Sequence, residues 1–195
     1  MSGRRFWSAA AASAALIAAG LSLASDSNAA WSRPFTVARC ECASGPAVAA
    51  SPKRGTTLVW IDSATYKVAA RRIAPDGSLR WKRTLGDGDY NVPGPWIAMG
   101  RSGTAVALWY EGADLHARRM TRHGRLGRIH RIGSSGTFPP RLDADIALDA
   151  AGNATITWPR SVTGAPAPDE IQVRARRLTV KGELGPTIDL PRETA

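Results

Sequence analysis

A chain of 195 residues with 26 Lys and Arg against 16 Asp and Glu carries a formal charge of +10 and is long enough for one domain with a real core. Its 44% hydrophobic content excludes wholesale disorder. The basic balance favours anionic partners such as nucleic acid, acidic glycans or anionic lipid surfaces, although arginines spread evenly along a chain also read as cover for solvated faces.

Residues 1–30 read as a secretory signal peptide. Arg4 and Arg5 form a positive start, the Ala-rich run from Ala9 to Ala24 is the apolar centre, and Ser27-Asn28-Ala29 offers small residues for cleavage, with Asn28-Ala29-Ala30 beside it. The apolar run is shorter than the ~20 residues of a membrane span, so no span is expected after cleavage. The expected location is extracellular or in the cell envelope. Arg4-Arg5 followed by Phe6-Trp7 leaves twin-arginine export open beside the general route.

The fold signal begins after residue 30. Trp31 to residue 38 has the apolar spacing of a strand, with Trp31 and Val37 six apart. Cys40 and Cys42 follow, separated only by Glu41. A bridge between them closes a very small, strained ring, and four metal ligands are not at hand. Pairing between chains, a redox-labile bridge, or two ordinary loop residues remain as readings.

A repeat then dominates the chain. Trp60, Trp109 and Trp158 lie 49 residues apart, closing the related stretches GTTLVW, GTAVALW and GNATITW. A period of roughly 40 to 50 residues carrying short strands is the sequence signature of propeller blades. Four segments agree in each copy. Val48, Ile97 and Ile146 centre the first. A turn ending in Gly55, Gly103 or Gly152 leads to the tryptophan strand, whose small and β-branched residues suit burial on both faces. A third segment carries the doublets Arg71-Arg72, Arg118-Arg119 and Arg176-Arg177. After a glycine at 77, 124 or 182, a fourth segment runs from Leu79, Leu126 or Leu184 to Leu85, Ile132 or Leu190.

The expected fold is therefore all-β: a β-propeller-like array of three four-stranded antiparallel blades, about 46–86, 95–133 and 144–191, plus an extra N-terminal outer strand over 31–38. The repeat region spans 31–195. A lone meander cannot cover both faces, so blades must stack. Closed rings have about 4 to 8 blades, so three blades point either to self-association that closes a ring of about six or to an open array. Between its second and third strands the third blade carries an insertion, 161–170, rich in Pro, Gly and Ala, which reads as a surface loop and a candidate binding edge.

The run from Ile146 to Trp158, with Ala175 to Leu178 and Gly182 to Gly185, resembles repeats in secreted bacterial β-propeller proteins. The resemblance is to a fold and implies no activity. The sialidase-like box, Ser-x-Asp-x-Gly-x-Thr-Trp, is not met, because Asp149 and Gly152 are three apart. The docking tryptophan of quinone-dependent propellers does not recur either: Trp81 has Arg128 and Pro186 as counterparts.

No catalytic constellation emerges. His116, His123 and His130 are seven apart in a region of strands, where that spacing has no facial meaning. Asp143 and Asp145 could do acid–base work or hold calcium, but the other blades lack matching carboxylates. No residue is assigned a catalytic role, and no metal or cofactor is expected. The doublets place one arginine on each side of every blade. Such a band could grip an anionic polymer, or its stems could cover blade seams while the guanidinium groups cap carbonyls. The candidate ligand contacts are Arg118, Arg119, Arg176, Arg177, Asp169 and Glu170. The expected function is a secreted, non-enzymatic binding or interaction module with an anionic polymer or glycan among its expected partners. A propeller-type glycan-active enzyme (glycoside hydrolase or lyase) is the alternative.

Overall fold

The computed structural model describes residues 34–39, 43–89, 92–136, 143–161 and 171–191. The expected signal peptide, Trp31, Cys40, Cys42 and the insertion beyond Ser161, with Asp169 and Glu170, lie outside the described residues. Twelve strands form three four-stranded antiparallel sheets, and no helix occurs among the described residues. The first sheet joins β1 (Ala43–Ser51), β2 (Gly55–Asp62), β3 (Lys67–Ile73) and β4 (Leu79–Asp87). The second joins β5 (Trp96–Met99), β6 (Ala105–Glu111), β7 (Asp114–Met120) and β8 (Leu126–Ser134). The third joins β9 (Asp145–Leu148), β10 (Ala154–Ser161), β11 (Ile171–Leu178) and β12 (Leu184–Asp189). In each, order in the sheet is order in the chain, which defines a meander. Of the extra strand expected over 31–38, residues 34–39 carry no strand and Val37 is in a bend.

Register repeats with the sequence. The three tryptophans stand opposite Ala69, His116 and Arg174, the same position in each sheet. The turns before β2, β6 and β10 end on Gly55, Gly103 and Gly152 at φ of 81°, 81° and 86°, a conformation that a side chain resists.

The sheets stack as a propeller-like array in chain order, with β5 beside both β1 and β9. Burial on β6 explains why. Ala105, Ala107 and Trp109 join Val59, Ile61, Val68 and Leu85 in the core between the first two sheets. Val106, Leu108 and Tyr110 join Ile146, Ile156 and Trp158 in the core between the second and third. Successive residues of a strand point to opposite faces, so a run with no polar member is buried on both sides. Each large apolar side chain so buried contributes roughly 1.5–3 kcal/mol. Trp60, on the face of the first sheet turned away from the second, lies beneath the Lys82 ammonium, 5.6 Å from the ring centroid.

Candidate functional site

The arginine doublets stitch the blades together. Arg118 points back: its Nη1 donates to Leu85 O of the first sheet at 2.7 Å, and its Nε to Gly127 O at 2.7 Å. Arg176 repeats this one blade on, with Nη1 to Ile132 O at 2.8 Å and Nε to Gly185 O at 2.8 Å. The second arginine of each doublet points forward. Arg72 Nη1 donates to Thr57 Oγ1 at 2.7 Å and to Gly103 O of the next sheet at 3.3 Å, and Nη2 donates to Arg54 O. Arg119 Nη2 donates to Thr179 O of the third sheet at 3.2 Å. Burial holds the Arg72 and Arg119 guanidinium groups below the ordinary arginine range. A planar, weakly hydrated fork tolerates partial desolvation and lets Arg72 bond several acceptors at once, whereas Arg119 makes its one bond across the seam and keeps Nε and Nη1 buried without a partner. Arg177 has no following sheet and pairs at the surface with Asp149, 2.7 Å away.

The expected ligand contacts are thus dispersed. Arg118, Arg119 and Arg176 sit in seams, and Arg177 pairs within its own sheet. Of these, Arg176 also lines a cleft of about 370 Å³ with Arg131, Arg160 and Arg174. Two of that cleft's cations are answered by carboxylates. Asp114 takes a bidentate fork from Arg131, 2.7 Å on each arm, and Asp189 lies 2.8 Å from Arg174. The Arg131 hydrogen bond pulls the Asp114 carboxyl below the usual range.

A larger cleft of about 620 Å³ opens at the seam of the first two sheets, between the β1–β2 and β3–β4 turns and the β7–β8 turn. Lys53, Arg54, Arg80, Trp81, Arg122 and His123 line it, with Arg72 beneath, and among the described residues no carboxylate contributes to the lining. Trp81 anchors the two sheets here: its Nε1 donates to Arg122 O at 2.9 Å, and its ring lies against Gly124. Arg122 Nε donates to His123 Nε2 at 2.8 Å. Arg80 has a loose neighbour in Asp76 at 3.7 Å, both exposed. Among the described residues Lys53, Arg54 and Arg122 make no ion pair. The cleft is therefore a concentration of cationic donors beside an aromatic ring.

Reading along the chain misses this cleft because its walls come from turns of two blades, with Trp81 already 41 residues from Arg122 and the turn 51–55 farther still. The usable signal is Trp81, the tryptophan that breaks the repeat, together with cations in turns 51–55 and 121–125.

The three histidines do not converge. His116 stacks on Trp109 with centroids 6.0 Å apart and planes at 21°. His123 borders the basic cleft, and His130 is buried in the seam beside Gly182. Asp143 and Asp145 are exposed, and Asp145 Oδ1 accepts from Ile146 N at 2.7 Å. No group of three or more His, Cys, Asp or Glu capable of holding a metal occurs among the described residues.

No protein-family model matches the chain, and no curated protein matches it. The class is accordingly defined by architecture: an all-β protein of repeated four-stranded blades, sewn by paired arginines and carrying a basic cleft at one seam.

Proposed function

We propose that this chain is an exported, non-enzymatic binding module that takes an acidic polymer, an anionic glycan foremost, in the cleft between the first two blades. The observation that carries this reading is the cleft's lining, four cations and an indole with no carboxylate among the described residues. Arginine and lysine meet sulfate or carboxylate groups through charge-assisted hydrogen bonds, and the Trp81 ring offers an apolar face to a sugar ring. The overall charge of +10 adds a long-range attraction that salt screens. Export rests on the charged start and apolar run of residues 1–30.

The test is retention on immobilised heparin against a salt gradient. Lys53→Glu with Arg122→Glu removes two cleft cations, and each lost charge-assisted contact costs about 1.5–3 kcal/mol, so affinity falls at least about tenfold. Arg177→Glu with Lys181→Glu changes net charge equally on an exposed edge and leaves retention nearly intact. Equal losses in both pairs would show that charge alone binds the polymer and would refute the cleft. Release of shortened product would refute the non-enzymatic role.

A further inference from the structure

The array begins and ends on sheet faces that keep exposed apolar side chains, and these are complementary by position, although Trp60 and Ala69 at the centre of the first face are buried within the single chain. On the forward side of each blade, Val68 and Leu115 are fully buried while their counterpart Val173 is 45% exposed. Leu85 and Ile132 are likewise fully buried while Leu190 is 41% exposed, with Ile188 beside it at 57%. On the backward side, Ile97 and Ile146 pack into the seams while Val48 is 62% exposed. Leu126 and Leu184 pack into the seams as well, whereas Leu79 is exposed.

The arginine clamp is interrupted at the same place. Arg118 and Arg176 each spend Nη1 on the last apolar residue of the preceding blade's fourth strand and Nε on a carbonyl of their own. Arg71 is the matching residue of the first blade, which has no blade behind it to offer its Nη1 a carbonyl. The residue matching Leu85 and Ile132 at the far end of the array is Leu190.

We infer that a second copy of this chain covers these faces, the third blade of one copy docking on the first blade of the other, with Arg71 donating to the Leu190 carbonyl. Every internal seam joins a forward face to a backward face, so the seam between copies has that polarity too. Val173, Ile188 and Leu190 meet Val48, Leu58 and Leu79, and two such seams close two chains into six blades, within the range of about 4 to 8 that closed rings adopt. One position departs from the internal pattern. Pro191 stands where Gly86 and Gly133 admit an indole, and Trp60 is already buried within its own chain, so this seam has no indole-on-glycine contact.

Light scattering of the full exported chain, in reductant so that Cys40 and Cys42 cannot link chains, reads the mass. The expected value is twice that of one chain. Val48→Glu with Leu79→Glu damages the first-blade face, and Val173→Glu with Ile188→Glu damages the third-blade face. Either pair alone gives the single-chain mass. Mixing the two restores the doubled mass, because one intact face remains on each partner. A wild-type chain of single mass overturns the proposal. A damaged variant that keeps the doubled mass overturns it as well, since it points to pairing of like faces. Should a glutamate pair fail to fold, Val48→Ser and Val173→Ser replace them. Each should weaken dimerisation at least about tenfold, and unchanged association defeats the inference.

Discussion

The indole of Trp158 packs against Gly133, so near that a Cβ built on the glycine would stand 2.4 Å from Cζ2. Trp109 meets Gly86 in the same way, at 2.7 Å. The tryptophan of one blade and a glycine on the fourth strand of the blade before it are thus a single device, repeated with the period. Trp158 Nε1 completes it by donating to Ser134 O at 3.3 Å.

Gly133→Ala therefore overpacks the second seam. It should lower stability by about 1–3 kcal/mol in urea unfolding, the usual cost of forcing a methyl group into a close-packed core. Gly185→Ala, whose Cβ finds nothing nearer than 3.7 Å, is the control and should stay within about 0.5 kcal/mol of wild type. Similar losses at both sites would show that strand glycines matter for some reason other than the indole.

Arg176→Ala should cost about 1.5–3 kcal/mol by leaving the Ile132 and Gly185 carbonyls without their charged donor. Arg176→Lys should not restore it, because one ammonium cannot span two carbonyls that a planar fork bridges. Arg177→Ala breaks only the exposed pair with Asp149 and should cost about 0–1 kcal/mol. Equal effects of Arg176→Ala and Arg177→Ala in the same unfolding assay would reject the clamp.

Tyr110 is fully buried, with the Trp96 ring edge-on at 5.8 Å. Burial, aided by the Asp143 charge, pushes its hydroxyl up to about 12. The raised value means the unfolded chain loses this proton first, so the stability tied to neutral Tyr110 is complete below about pH 10 and declines between about 10 and 12. The phenolic oxygen has no hydrogen-bond partner. Tyr110→Phe should then fold with near-native stability at neutral pH and lose less of it in alkali. A phenolate absorbance titration in which all tyrosines ionise together near pH 10 would contradict this.

His116 is held below the ordinary imidazole range, chiefly by burial, against the opposing pull of Glu111 and Asp114. Its neutral form is the one that fits on Trp109. Stability linked to it is present above about pH 6.5 and is lost as pH falls through the lowered folded value, because the unfolded chain takes up the proton first. His116→Phe keeps a ring on the indole and removes the titration. The difference in Tm between pH 7 and pH 5 should shrink in this variant, and an unchanged difference would assign the acid sensitivity elsewhere.

How much of this was legible in the sequence follows from which interactions are local. The period of Trp60, Trp109 and Trp158, the turn glycines and the alternating doublets determined an all-β repeat of three four-stranded blades, because strand pairing and turn chemistry act within a few residues and each copy states them again. That one arginine of each doublet faces each neighbouring blade also followed from the two-residue alternation of a strand.

What the tertiary structure alone decided is where those side chains end. Whether Arg118 meets a ligand or Leu85 O depends on the distance between two sheets, and no spacing within one strand contains it. The same holds for the basic cleft, whose walls come from turns of different blades and whose indole, Trp81, has no counterpart in the repeat. Local periodicity specifies a blade; the packing of one blade on the next specifies the seam, and the candidate binding chemistry of this protein lies at the seams.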